Sequence, residues 1–188
     1  ASSGSDTSAE AARPGKPQRE APVNPDNPLG FSQLPPAYTE RDRDLMVRTI
    51  IGEAANQGIE GMAAVALVIR NRMEDSRYPD TPGDVVLQDK QFSAWNRDGS
   101  GNALVQQYGP GTRAYDAAAY AADLVMMGQI PDFTGGAVNY YSPAGMQALV
   151  EQGYQKNMIP GWLNRANNER DADPVQVGGH IFTGQVKK

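Results

Sequence analysis

Residues 39–69, TERDRDLMVRTIIGEAANQGIEGMAAVALVI, decide how this chain folds. The first half reads as an amphipathic helix over residues 39–55. Thr39 and Asp42 stand in capping-box-like spacing at its start, and Met46, Ile50 and position 53 fall at i, i+4 and i+7 on one stripe. A glycine-punctuated connection through Gly58 and Gly61 follows, and then a very apolar helix, Met62–Ile69. Position 53 should carry hydrocarbon, yet it holds Glu53. A carboxylate turned toward such a core is costly when ionised, so it either has a partner or stays protonated and able to give up its proton. The second alternative suits a general acid that cleaves glycosidic bonds. The first leaves a carboxylate satisfied by backbone amides or by an arginine such as Arg72.

Working outward, Asn71-Arg72-Met73 closes the second helix. Residues 78–84 read as a turn leading into a short capped helix through Val85, Val86 and Leu87. From Gln91 to Gly111 the chain is glycine-rich and dotted with Phe92, Trp95 and Tyr108, which suits a loop lining a groove. Residues 112–127 form another helix, closed by Gly128, with Tyr115, Ala119, Ala122 and Met126 on one stripe. Strands are expected over 136–141 and 175–182, with Ser142-Pro143 starting a short helix through Leu149 and a further helical turn within 158–167. Alternation on the first strand sends one of Tyr140 and Tyr141 inward and the other outward. The expected fold class is α+β, mainly α, with a small β element.

Residues 1–36 carry prolines at 14, 17, 22, 25, 28, 35 and 36 and lack hydrophobic periodicity. Such a segment cannot bury enough apolar surface to offset its ordering entropy, so it is expected to be a disordered tether before one domain over 37–188. With no cysteine there is no disulfide framework, zinc-thiolate site or thiol nucleophile. A formal net charge of -5 argues against a nucleic-acid partner, and no apolar run approaches the length of a membrane span. The glycine runs at 99–101 and 109–111 lack the Lys-Ser or Lys-Thr of a phosphate loop. The chain opens on Ala1 with no signal peptide, which is expected of a mature, trimmed or excised product.

Several short motifs occur in a familiar order: Glu53-Ala54, Glu60-Gly61, residues 63–66 (AAVA), Asn71-Arg72, Tyr78-Pro79, Gln91-Phe92-Ser93, residues 136–141 (GAVNYY) and residues 179–182 (GHIF). None is specific alone, but in register they resemble the catalytic domain of SleB/CwlJ-type cell-wall hydrolases from roughly residue 42 to 184. The resemblance implies a lysozyme-like or lytic-transglycosylase-like fold, cleavage of peptidoglycan glycan strands, and Glu53 as the essential acid. The setting it implies is extracytoplasmic (periplasm, cell wall or secreted) or virion-associated, with the tether available for docking to a larger assembly. One departure stands out. The family often reads Glu-Ala-Arg-Gly-Glu here, whereas this chain has Glu53-Ala-Ala-Asn-Gln57, so a second glutamate has become Gln57.

One glutamate suffices for a lytic transglycosylase, in which the acid that protonates the leaving oxygen then removes a proton from the muramic C6 hydroxyl. A muramidase adds a second carboxylate as base or nucleophile. Gln57 favours the one-acid scheme, and Glu60 is the candidate second acid if there is one. Gln91, Ser93 and Asn139 are candidate hydrogen-bonding groups for the sugar. Phe92, Trp95, Tyr140 and Tyr141 are candidate stacking surfaces, with loop packing the other reading of Trp95, and His180, the sole histidine, matches a family position and is a candidate for orienting the sugar or Glu53. No cofactor and no metal are expected. A catalytically silent glycan-binding module of an envelope or virion is the alternative.

Overall fold

The computed structural model describes residues 38–96, 105–154 and 174–186. The expected tether, the helical turn within 158–167 and the glycine run at 99–101 lie outside these residues. Five helices are described: α1 (Glu40–Ala54), α2 (Gly58–Glu74), α3 (Pro82–Val86), α4 (Arg113–Met126) and α5 (Pro143–Glu151). A 3-10 turn over Ser93–Trp95 and three strands, β1 (Asn139–Tyr141), β2 (Val175–Val177) and β3 (His180–Thr183), complete them.

Local chemistry starts these helices. Thr39, Thr81, Thr112 and Ser142 each accept a hydrogen bond from the backbone N–H three residues on, which satisfies a donor that the helix itself cannot. α2 has no such cap. It begins on Gly58, whose φ of +70° turns the chain sharply out of α1. Gly58–Gly61 is therefore the first turn of α2 rather than a connection. Gly61 is tolerated inside the helix because a Cβ there would overlap the Cβ of Gln57.

α2 is the centre of the molecule. Its run Met62–Ile69 is at most 4% exposed. One side packs with Met46, Val47, Ile50 and Ile51 of α1, with Val85 and Val86 of α3, and with the alanine face of α4. The other side, at Ala64 and Val68, packs beneath the sheet against Ala137, Val177 and Phe182. A helix apolar all round must be covered all round, and α1, α4 and the sheet do this.

The sheet is antiparallel in the order β1-β3-β2, with Tyr140 opposite Phe182 and Val177 opposite His180. The expected single strand over 175–182 is in fact two strands joined at Gly178-Gly179. A two-residue glycine loop with φ of +54° at Gly178 is hairpin chemistry, and the alternating pattern on both sides hid it. The first strand is shorter than expected, starting at Asn139 rather than Gly136. Among the described residues no helix is long and apolar enough to cross a membrane.

Candidate active site

Glu53 lies in the last turn of α1, half-buried where the apolar stripe of Met46 and Ile50 runs out. Gly52 beside it has a reason to be glycine. A Cβ there would stand 3.0 Å from Val105 Cγ1 and 3.1 Å from Ala94 Cβ, so its absence lets the 3-10 turn close onto α1. That approach brings Ser93 to the carboxylate. Glu53 Oε1 accepts from Ser93 N at 3.1 Å and from Ser93 Oγ at 3.0 Å. From the opposite side, β1 supplies Tyr140, whose hydroxyl donates to Glu53 Oε2 at 2.9 Å.

Both oxygens are thus held by groups from two different parts of the chain. Burial first, then the neighbouring Glu53, pushes the Tyr140 hydroxyl well above its ordinary pKa, so it remains a donor. Behind Tyr140 the His180 ring packs edge-on at 5.2 Å between centroids. Phe182 packs against Tyr140 at 5.4 Å. His180 is 9% exposed and its Nδ1 is buried with no hydrogen-bond partner. Burial pulls its pKa below the ordinary value, against an opposing pull from Glu53.

Arg72 organises the polar side of the site. Its guanidinium leaves the last turn of α2 at 4% exposure and donates to Val138 O at 2.7 Å, Gln91 Oε1 at 3.1 Å and Asn139 Oδ1 at 3.3 Å. The rings of Tyr78 and Phe92 lie 5.0 and 5.2 Å from it. Burial lowers its pKa, and Tyr78, Tyr140, Asp75 and Glu53 oppose that loss. Arg72 does not hydrogen-bond Glu53 in this arrangement. It fixes the loop and the strand on which the site is built.

The residues singled out from sequence separate into groups. Ser93 and Tyr140 meet Glu53 directly, His180 reaches it through Tyr140, and Gln91 and Asn139 are joined to the site by Arg72. Phe92 is not a sugar platform: it is 2% exposed and packs in the core. Pairing at successive β1 positions sends Tyr141 to the face opposite Tyr140. Glu60 is exposed in the first turn of α2, where an acid complements the helix dipole. Trp95 is a packing residue whose Nε1 donates to Thr49 Oγ1 at 2.7 Å. Sequence reasoning missed Arg72 as the organiser. The available signal was an arginine just beyond the wholly apolar run Met62–Ile69, which cannot be buried without several acceptors.

Among the described residues no group of three or more His, Asp or Glu side chains is placed to hold a metal ion. A cleft of about 700 Å³ opens at the same end of α1, between Ala55, Gly58, Ile59 and Met62 on one wall and Tyr108, Arg113 and Ala117 on the other.

A mainly helical domain that sets one half-buried carboxylate between a turn and a small antiparallel sheet defines the class of protein. The chain belongs to the cell wall hydrolase family, whose model matches residues 56–183, beginning just beyond Glu53. It is similar to the spore cortex-lytic enzyme of Oceanobacillus iheyensis, at 38% identity over 61 residues, which are 32% of this chain and 22% of that protein. The match thus spans well under a third of that relative's length. In three dimensions the chain resembles the catalytic domain of the Bacillus cereus SleB protein, with a TM-score of 0.55 and 25% identity, covering 82% of this chain and 98% of that one. A corresponding domain from Bacillus anthracis gives a TM-score of 0.53 at 23% identity, covering 79% and 98%, a likeness of fold. The expected mainly helical fold with a small sheet is the fold of these domains.

Proposed function

We propose that this domain cleaves the glycan strand of peptidoglycan between N-acetylmuramic acid and N-acetylglucosamine as a lytic transglycosylase, with Glu53 acting first as acid and then as base. One observation carries this reading. The hydrogen bonds to Glu53 come from a serine and a tyrosine, and among the described residues no second carboxylate enters them.

Protonated Glu53 gives its proton to the glycosidic oxygen as the bond to muramic C1 breaks and an oxocarbenium-like centre develops. The carboxylate left behind accepts from the Ser93 N–H, the Ser93 hydroxyl and the Tyr140 hydroxyl, donors already in position before the charge appears. The same carboxylate then takes the proton of the muramic C6 hydroxyl, whose oxygen closes on C1. A 1,6-anhydro ring forms, no water is consumed, and Glu53 ends protonated as it began. A neutral His180 behind Tyr140 adds no charge to this cycle.

Gln91 and Asn139, held by Arg72, are the groups suited to N-acetyl and hydroxyl recognition, and the cleft at the end of α1 offers room for more of the polymer. Such a substrate puts the work outside the cytoplasm. The Bacillus anthracis domain is described as a germination-specific lytic transglycosylase, which supports this choice of reaction.

Mass spectrometry of muropeptides released from purified cell wall tests the reading. The wild-type chain should yield 1,6-anhydro products, and Glu53→Gln should lose about 10²- to 10⁴-fold in rate, the ordinary worth of a general acid. Reducing muramic ends would instead identify a hydrolase, and peptide stems alone would exclude glycan cleavage.

A further inference from the structure

We infer that Gln57 is a positioning residue: its side-chain oxygen locks the β2–β3 turn against the end of α1, and the position requires an acceptor, whether or not that acceptor is ionisable. Gln57 occupies the junction of α1 and α2, and its Oε1 accepts from Gly179 N at 2.6 Å. Its Nε2 donates to Asn56 Oδ1 at 3.0 Å, which fixes the end of the amide that faces Gly179.

The surroundings are shaped to this side chain. A Cβ at position 178 would stand 2.6 Å from Gln57 Oε1, and one at Gly179 would stand 3.1 Å from Oε1 and 3.2 Å from Nε2. On the other side Gly61 lacks the Cβ that would collide with Gln57. Two glycines of the turn therefore border the amide of Gln57, and Gly61 of α2 borders its Cβ and Cγ.

What hangs on that turn connects it to the site. The residue after Gly179 is His180, which packs edge-on against Tyr140, which in turn donates to Glu53. β1, which carries Tyr140, pairs only with β3 in the sheet order, so its position follows the hairpin. Contacts thus close a loop from Glu53 along the chain to Gln57, across to Gly179, through His180 and Tyr140, and back to Glu53. Loosening Gln57 removes the direct bond from the end of α1 to that hairpin.

This changes the meaning of the glutamate that the family resemblance puts here. A carboxylate at position 57 would accept the same Gly179 N–H, through a stronger charge-assisted bond. The glutamine keeps the acceptor, and so the one-acid scheme rests on the surroundings of Glu53 and not on the loss of a carboxylate at 57.

The effect on rate rests on the glycan-cleavage reading, whereas the lock itself does not. The test compares the full chain with Gln57→Leu and Gln57→Glu. It follows Gly179 amide exchange and the His180 ring titration by NMR, and kcat, KM and products on purified peptidoglycan. Leucine should speed Gly179 exchange, move the His180 titration and lower kcat about 10- to 100-fold with little change in KM, as expected for misplacement of a reacting group. Glutamate should restore both NMR signatures and the rate, with products unchanged. Wild-type Gly179 exchange and kcat in Gln57→Leu would overturn the lock, and a switch to reducing ends in Gln57→Glu would mark position 57 as an acid site. If Glu53→Gln keeps full activity, the functional reading fails while the two NMR readouts still decide the lock.

Discussion

Ser93 and Tyr140 divide the two oxygens of Glu53 between them, so their contributions can be separated. Tyr140→Phe removes the one donor to Oε2 among the described residues and leaves the ring packed on His180 and Phe182. A hydrogen bond to a charged group is worth about 1.5–3 kcal/mol, so kcat should fall roughly 10- to 100-fold if that charge develops in the reaction. Ser93→Ala loses the hydroxyl but keeps the backbone N–H on Oε1, and its loss should be the smaller. The ordering of the two in steady-state rates on cell wall is the check. His180 gives a prediction about pH. Its folded-state pKa lies below the ordinary value, so between the two values the unfolded chain binds more protons and stability rises with pH. That contribution is fully present above about pH 6.5 and is lost as pH falls through the lower folded-state pKa. Thermal melts taken downward from about pH 7.5 should show this loss, and His180→Gln should remove it. Glu53 pulls the His180 pKa upward, so in Glu53→Gln the folded-state value should drop further and the window extend to lower pH.

Helix α2, the loop before the 3-10 turn and strand β1 are held in one arrangement by Arg72. Arg72→Met keeps the buried volume and strips hydrogen bonds from Val138 O, Gln91 and Asn139. Val138 O is left buried and unpaired at about 1–3 kcal/mol, exposed Gln91 and half-buried Asn139 turn to water, and the cation–π contacts with Tyr78 and Phe92 are lost as well, so a loss of about 3 kcal/mol is expected. For a domain of this size that lowers Tm by about 6–12 °C. Because β1 and the 3-10 turn carry both partners of Glu53, kcat measured well below the transition should fall too. Arg72→Lys keeps a charge but not the planar fork or the stacking on Tyr78 and Phe92, and should recover only part of either loss. These same elements show where the sequence was legible. α1, α3, α4 and α5 were read closely from the sequence because a hydroxyl cap and a stripe of apolar residues are local signals. The start of α2 was not, because Gly58 and Gly61 look like breakers until Gln57 is seen filling the space that Gly61 leaves. The hairpin was missed for a similar reason: period-two alternation continues through Gly178-Gly179, and only pairing distinguishes two strands from one. Of the site, Glu53 was visible as a polar residue on an apolar stripe. Its bond to Tyr140 spans 87 residues and its bonds to Ser93 span 40, distances over which sequence periodicity carries no information.

Across the whole molecule a second buried polar cluster stands apart from these hydrogen bonds. Arg43 of α1 meets Asp123 of α4 through Nε to Oδ1 at 2.8 Å and Nη2 to Oδ2 at 3.0 Å, and the Tyr38 hydroxyl donates to the same Oδ1 at 2.8 Å. Tyr38 and Asp123 are 0% exposed and Arg43 is 3% exposed. Burial, and then Asp123, pushes the Tyr38 hydroxyl well above its ordinary pKa, which keeps it a donor to the carboxylate. Asp123→Ala leaves a buried guanidinium without this carboxylate, which costs about 3–5 kcal/mol when one partner of a buried pair is removed. The bonds that join Tyr38, Arg43 and Asp123 tie α1 to α4 and do not pass through Glu53, Ser93, Tyr140, Arg72 or Gln57. The variant should therefore melt at lower temperature while its kcat, measured where it is still folded, stays within about twofold of wild type, as expected for sites that do not share partners. Arg72→Met, with a comparable loss of stability, should lose rate as well. Equal rate losses in the two variants at matched stability would mean that catalysis follows the rigidity of the whole helical core, and that the contacts around Glu53 are not separately adjustable.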